Sequence, residues 1–290
     1  MAKLRTRKHT VVLNRSRGGD TGITVFLVIL GLFMFLPMVY TISQSLKPLD
    51  ELFIFPPRFF PRKPTFSNFT SLFRLMNFSW VPFSRYVFNT VFISVAGTFG
   101  NLVLSSLAAY ALAKIEFPGN KFFFQVIQKS LMFTPAITST LQFIVLSRLH
   151  WIDTYLAVIV PAFASSLGLY LMKQFMDTNV STEILESARL DGAREFRIFW
   201  SIAMPMVKPA WLTLIIYSFK DLWQLSGSTY LYSEQYKTIN YAISQISSAG
   251  VTRAGVSAAG TVFVMIVPIA VFVISQSNVI ETMGSSGMKD

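Results

Sequence analysis

The sequence contains no cysteine, which excludes disulfides, iron–sulfur clusters and thiolate zinc sites without fixing a compartment. Histidine is almost as scarce. His9 sits in a basic tail and His150 in a short connection, so no metal-ligand cluster or nucleophile–base pair is available. No G-x-x-x-x-G-K-[ST] phosphate loop occurs, so this polypeptide cannot hold ATP in that manner. Charge is sparse at 13% of residues, and the apolar runs hold almost none of it. Lys129 lies inside one run, and Lys220–Asp221 lies toward the outer end of another. No run carries a carboxylate at mid-depth, which argues against a proton- or sodium-coupled carrier and against an intramembrane protease with paired aspartates.

What is abundant is apolar. Of 290 residues 52% are hydrophobic and 28 are Phe, a composition that would leave a soluble domain short of surface charge. Long apolar runs of about 20 residues recur, the length that crosses ~30 Å of hydrocarbon at 1.5 Å per residue. The formal net charge of +11 invites a nucleic-acid reading. Basic residues flanking the cytoplasmic ends of membrane spans explain it better, and no basic-aromatic module for stacking bases stands apart from the runs.

The first 20 residues are polar and basic, with Lys3, Arg5, Arg7, Lys8, Arg15 and Arg17. A run from about Ile23 to Ile42 follows. It is too long for a signal-peptide core and lacks a small-residue cleavage site, so it is expected to be a retained span entering from the cytoplasm. Further spans are predicted at about Asn89–Ala113, Phe122–Leu146, Tyr155–Phe175, Pro205 to about Leu225, and Ala258–Ser275. Lys114, Lys121, Lys173, Arg189, Arg194, Arg197 and Lys208 fall on connections that alternate to the side of the N-terminus. The expected fold is therefore all-α, about six transmembrane helices with both termini cytoplasmic.

Between the first two spans, Pro48, Pro56, Pro57, Pro61 and Pro64 predict an extended extramembrane loop at about 43–88, without helix. Its Lys47, Arg58, Arg62, Lys63, Arg74 and Arg85 run against the positive-inside tendency, which long loops obey weakly. The segment from Tyr230 to Gly255 is placed outside as well. Pro37, Pro135, Pro161 and Pro268 fall within spans, where they suit either helices that line a pathway or merely bent structural ones.

The informative cytoplasmic connection, about 178–208, lies between the fourth and fifth spans. Ser181 or Thr182 can cap a helix with Glu183 in its first turn, and Asp191–Gly192 ends it because glycine reaches the left-handed conformation. A second helix resumes near Ala193 and carries Phe196, Phe199 and Trp200 before Pro205 opens the fifth span. Ala188 and Gly192 would form a small-residue face that lets a partner approach closely. Physically, this elbow is either a docking site or an amphipathic linker lying among lipid headgroups.

The string Glu186-Ser187-Ala188-Arg189-Leu190-Asp191-Gly192-Ala193, followed by Ile202, Pro205 and Pro209-Ala210, resembles the EAA coupling loop of bacterial ATP-binding-cassette (ABC) importer permeases. Serine stands at 187, where that family usually has alanine. Ser45-Leu46-Lys47-Pro48, Phe66-Ser67-Asn68-Phe69, Asn89-Thr90 and Ala108-Ala109-Tyr110-Ala111 are similar to the smaller permease of maltose-type carbohydrate importers. Trp223-Gln224 departs from the Trp-Asn of many relatives. The ending Glu281-Thr282-Met283 with Gly287-Met288-Lys289 resembles a branch importing larger or uronic-acid-containing oligosaccharides, such as those derived from alginate or pectin.

The resemblance implies a type I importer permease domain over 21–290, in the bacterial cytoplasmic (inner) membrane. It implies a non-enzymatic subunit that binds no cofactor itself, with ATP and magnesium used by a partner. The partners implied are a second homologous permease, two ATP-binding-cassette subunits, an extracytoplasmic solute-binding protein and lipid, with no nucleic acid. Glu183, Glu186, Ser187, Ala188, Asp191, Gly192, Ala193, Ile202 and Pro205 are the expected ATPase-coupling residues, the helix from Thr182 to Gly192 moving as a lever. Thr134, Thr138, Gln142, Tyr217, Trp223 and Gln224 are candidates for the solute pathway, since aromatic platforms and amides suit sugars. For each, hydrogen bonding within the bundle is the competing role. The alternatives are an ABC permease for a non-sugar solute and an ion-coupled carrier.

Overall fold

A computed structural model of the chain describes residues 17–77 and 81–286, and among these residues every regular element is helical. Most of the basic segment 1–20, including Lys3, Arg5, Arg7, Lys8 and Arg15, lies outside the described residues. Helix α1, Arg17–Ser45, carries the first apolar run with Pro37 inside it. A tetrapeptide turn, α2 at Leu49–Leu52, and α3 at Ser67–Asn77 then occupy the proline-rich connection. The expectation of a helix-free loop is corrected here. No proline falls between Pro64 and Pro82, and in that stretch Leu72 and Met76, one turn apart, bury an apolar stripe against the bundle.

Helix α4, Phe83–Lys114, is the central mast. It begins six residues before the expected Asn89, with Pro82 as its N-cap. The expected span Phe122–Leu146 is two helices, α5 at Asn120–Ser130 and α6 at Pro135–Arg148. Pro135 cannot donate a backbone N–H, and Thr134 before it is extended (ψ 148°), so the helix stops and restarts. The fourth span is also in two pieces, α7 at Leu156–Phe163 and α8 at Ser166–Asn179, interrupted at Ala164 and Ser165 three residues after Pro161.

The elbow follows as α9, Thr182–Leu190, and α10, Glu195–Ile198, then a π-helical turn at Phe199–Ala203 and α11 at Met204–Met206. Pro205 therefore sits in the approach to the fifth span. The membrane helix itself, α12 at Lys208–Trp223, starts after a turn at Val207 and lies at 84° to the segment before it. The Tyr230–Gly255 segment holds a 3₁₀ turn at Glu234–Tyr236 and α13, Ile239–Ser248. Helix α14, Ala254–Ser286, ends the described chain, with Pro268 inside it. Of the terminal string, Glu281, Thr282 and Met283 fall in α14, whereas Gly287, Met288 and Lys289 lie outside the described residues.

Among the described residues, 4 helical stretches are long and apolar enough to cross a membrane, α7 and α8 counting together as Leu156–Asn179, and the bent pair ending in α12 makes up to 5. Of the roughly six spans expected, the one at Phe122–Leu146 is divided into two shorter helices and the one ending in α12 is bent before Lys208. The mast α4 packs against α7, α8 and α12, whereas α1 lies along α14. Close packing follows from small residues on the mast. A Cβ at Gly100 would sit 2.0 Å from the Phe163 ring.

The end of the bundle at the start of α4 is tied to the mast by polar groups. Asn89, fully buried, donates to the carbonyls of Gln235 (2.9 Å) and Lys237 (2.8 Å) and accepts from the Tyr155 hydroxyl at 2.6 Å. Thr90 accepts the Ile239 amide at 2.9 Å. In the turn after α6, Asp153 adopts φ +62° and accepts the amides of Tyr232 and Ser233, both at 2.8 Å, and the Ser233 hydroxyl. Burial pushes the Asp153 carboxyl up, but the Ser233 hydroxyl, these amides and nearby Lys237 outweigh it and hold the group below its ordinary value. The loops at this end are thereby fixed to the helix ends on which they sit.

Candidate functional site

At the opposite end of the mast, the elbow is built on a buried foot. Leu185 of α9, Ile198 of α10 and Phe199 are buried together with Tyr110 of α4, Met172 and Met176 of α8, and Val207. The Ser181 hydroxyl accepts the Ile184 amide at 3.4 Å and starts α9. That hydroxyl also bonds Glu183 and holds its carboxyl below the ordinary range, with Lys114 at the end of α4 adding to the effect. At the other end the Gly192 amide reaches the Arg189 carbonyl (3.0 Å) and the Ala193 amide the Ala188 carbonyl (3.0 Å). Gly192 adopts φ +81°, the left-handed conformation expected of it, and nothing lies within 4 Å of where its Cβ would be.

A charged strut holds the elbow to the mast. Glu195 accepts Arg189 Nε at 2.6 Å and Nη2 at 3.4 Å, and its other contact is the Tyr110 hydroxyl at 2.8 Å. The hydrogen bond from Arg189 to Glu195 raises the guanidinium further above its ordinary value. No spacing rule in the sequence links Tyr110 to Glu195, 85 positions later.

The expected coupling residues divide into two groups. Glu183, Glu186, Ser187, Asp191 and Gly192 are exposed. Ala188, Ala193 and Ile202 are partly buried and pack against the foot with one side while keeping some exposed surface. Pro205 is exposed on the approach to α12. The outward apolar groups are Leu190, 90% exposed, and Phe196, 66% exposed, with Ile184 and Trp200 beside them. Leu190 was legible as the one large apolar side chain between Glu186 and Arg194.

The pathway candidates lie on two helices. Thr134, Thr138 and Gln142 recur every four residues along one face at the start of α6, and the Thr134 carbonyl accepts the Ile137 amide at 3.1 Å. Tyr217 and Gln224 share a face of α12 with Asp221 between them, and Tyr217 is exposed beside a cavity of ≈ 290 Å³. Trp223 points elsewhere. It is buried, stacks on Phe219 and donates its indole N–H to the Val264 carbonyl at 3.0 Å, so it joins α12 to α14. Among the described residues, no group of three or more His, Asp or Glu side chains could hold a metal ion.

No family model matches the chain. Curated relatives do. The arabinooligosaccharides transport system permease protein AraQ of Bacillus subtilis is 28% identical over 273 residues, 92% of this chain and 95% of that protein. The sn-glycerol-3-phosphate transport system permease protein UgpE of Yersinia enterocolitica is 28% identical over 213 residues, covering 73% of this chain and 75% of that one. Protein LplC of Bacillus subtilis is 30% identical over 228 residues, 77% of this chain and 72% of that one. The crystal structure of a bacterial ABC transporter involved in the import of the acidic polysaccharide alginate contains a chain that superposes with a TM-score of 0.76. The superposition covers 91% of this chain and 98% of that one at 22% identity, which speaks to the fold. The chain belongs to the carbohydrate-type permease subunits of ABC importers, multi-pass proteins of the bacterial cytoplasmic membrane.

Proposed function

We propose that this subunit moves a carbohydrate inward by passing to its membrane helices a motion produced by a separate ATPase, which binds ATP and magnesium. The carrying observation is the elbow: a short capped helix, rooted in the core by Leu185, that presents Leu190 almost fully to solvent. An isolated leucine that exposed gains about 1.5–3 kcal/mol on burial, so its natural setting is a groove on a partner. Glu183, Glu186, Asp191 and the turn at Gly192 surround it and supply polar anchoring, with Phe196 and Trp200 as a second apolar contact. Closure of two ATP-binding subunits would then carry α9 and α10 as a unit and bias the bundle between inward- and outward-open states.

The assembly inferred is this chain with a second, homologous permease, two ATP-binding-cassette subunits and an extracytoplasmic binding protein that delivers the cargo. Both termini lie on the elbow's side of the membrane. Carbohydrate cargo is favoured by the arabinooligosaccharide relative and by the alginate importer of like fold, and acidic oligosaccharides remain within that class. The glycerol-phosphate relative favours one other reading, a small non-sugar solute.

Leu190→Asp tests the docking. It is expected to weaken retention of the ATPase subunit on the purified permease pair by about tenfold or more, with the pair's thermal unfolding unchanged, because the side chain touches little of its own chain. Unchanged retention, or a loss of permease stability that matches the loss of ATPase, would remove the elbow from the docking surface.

A further inference from the structure

One face of α12 is buried through Leu214, Ser218 and Leu222, while the neighbouring face turns Tyr217 and Asp221 outward, one turn apart. Both outward residues line the cavity of ≈ 290 Å³ bounded by the broken span α7–α8. A carboxylate turned toward lipid tails is strongly disfavoured, so this face of the membrane helix meets water or protein. The cavity floor is polar and rigid. Asn101 of the mast donates to the Ser218 hydroxyl at 3.1 Å and accepts from Ser105 at 2.8 Å. The wall is set by Ser165, whose hydroxyl caps the Gly168 amide at 3.0 Å, and Gly168 keeps the floor open. A Cβ there would lie 2.7 Å from Leu214 and 3.3 Å from the Asn101 carbonyl oxygen.

The chemistry of this lining is specific. A tyrosine ring offers a face for sugar C–H groups, and a carboxylate can accept two neighbouring hydroxyls at once. The volume is at the small end for ligand sites, enough for one sugar ring and not a chain. Asp221 is the one charged side chain on the lining, and no Lys, Arg or His joins it. Three basic residues at that end of the mast are turned to their own chain. Lys47 donates to the Arg58 carbonyl, Arg85 to the Gln235 carbonyl at 3.2 Å, and Lys237 lies 4.0 Å from the Tyr241 ring.

The geometry points to a subsite for an uncharged, hydroxyl-rich sugar unit, in which Tyr217 provides the platform and Asp221 discriminates against acidic sugars. The inference rests on the carbohydrate-import reading and narrows it. A second carboxylate brought beside Asp221 meets like-charge repulsion worth at least about tenfold in affinity.

Binding of arabinotriose and of a mannuronate trisaccharide to the purified permease–ATPase complex, with no binding protein present, tests it. The wild type is expected to favour arabinotriose. Asp221→Asn should shift the ratio toward the acidic sugar by about tenfold, Asp221→Lys should shift it further, and Lys220→Gln should leave it unchanged. Should the Asp221 variants fail to assemble, Tyr217→Ala is expected to weaken arabinotriose binding in an intact complex. A wild-type preference for mannuronate, a ratio insensitive to Asp221, arabinotriose binding insensitive to Tyr217, or no binding of either sugar would overturn the subsite. Uptake of the two sugars by the complete importer, measured in parallel, separates that failure from failure of the carbohydrate reading, which predicts uptake of at least one.

Discussion

Gly192→Asp is expected to lower cargo-stimulated ATP hydrolysis by about 100-fold or more while the subunit still folds, inserts and pairs. The size of the effect follows from where the new side chain goes. A Cβ at this position meets nothing of its own chain, so no internal clash is available to unfold the elbow. The backbone at φ +81° is a conformation that Asn and Asp tolerate better than other residues, at a cost near 1 kcal/mol. What remains is an added carboxylate on the proposed docking surface, where an unpaired charge buried against a partner would cost several kcal/mol. Gly192→Asn supplies the control, since it carries a similar backbone cost without the charge and should retain most activity. Hydrolysis by the complete complex with loaded binding protein is the readout, and an aspartate variant with full stimulation would place Gly192 outside the docked surface.

Glu195→Ala is expected to uncouple transport from hydrolysis. Its carboxylate is the joint between α9 and the mast, taking Arg189 from one side and the Tyr110 hydroxyl from the other. The ion pair is partly exposed, at 35% and 46%, and alone contributes roughly 1 kcal/mol or less. Tyr110 is buried, and leaving its hydroxyl without an acceptor costs about 1–3 kcal/mol more. The elbow's apolar foot, with Leu185, Ile198 and Phe199 fully buried, keeps α9 in place, so the ATPase still docks. Lost instead is stiffness between the docked helix and α4. Sugar imported per ATP hydrolysed should fall about tenfold, basal hydrolysis should persist, and Glu195→Gln, which still accepts from Tyr110, should fall between. Equal losses of hydrolysis and import would show that the residue acts on docking and not on transmission.

The sequence was most legible where local rules act alone. Ser181 as a cap, Gly192 as a left-handed stop and the apolar runs of α1, α4 and α14 each follow from the properties of a few adjacent residues. Interruption was harder to read. Pro135 and Pro161 were visible within spans, but whether a membrane helix bends or stops depends on neighbours that re-satisfy its carbonyls; here the helix stops before Pro135, whereas Leu156–Asn179 is interrupted only at Ala164 and Ser165 and still counts as one crossing. The helix at Ser67–Asn77 was hidden by the prolines before it. The contact of Ala188 and Ala193 with the foot was hidden because small residues suit both a docking face and a packed foot. Trp223 looked like a sugar platform, and only the distant Val264 carbonyl, on another helix, fixes it as packing. Glu195 and Tyr110, from separate helices, had no shared local signal at all.

Concentrative sugar uptake into proteoliposomes, measured with the permease pair alone and again with the ATPase subunits, ATP and binding protein added, probes the borrowed-motor mechanism at its root. Accumulation only in the second case is the expected result, lost when Leu190 carries a charge. Accumulation against a gradient by the permease pair without any nucleotide-hydrolysing subunit would contradict it.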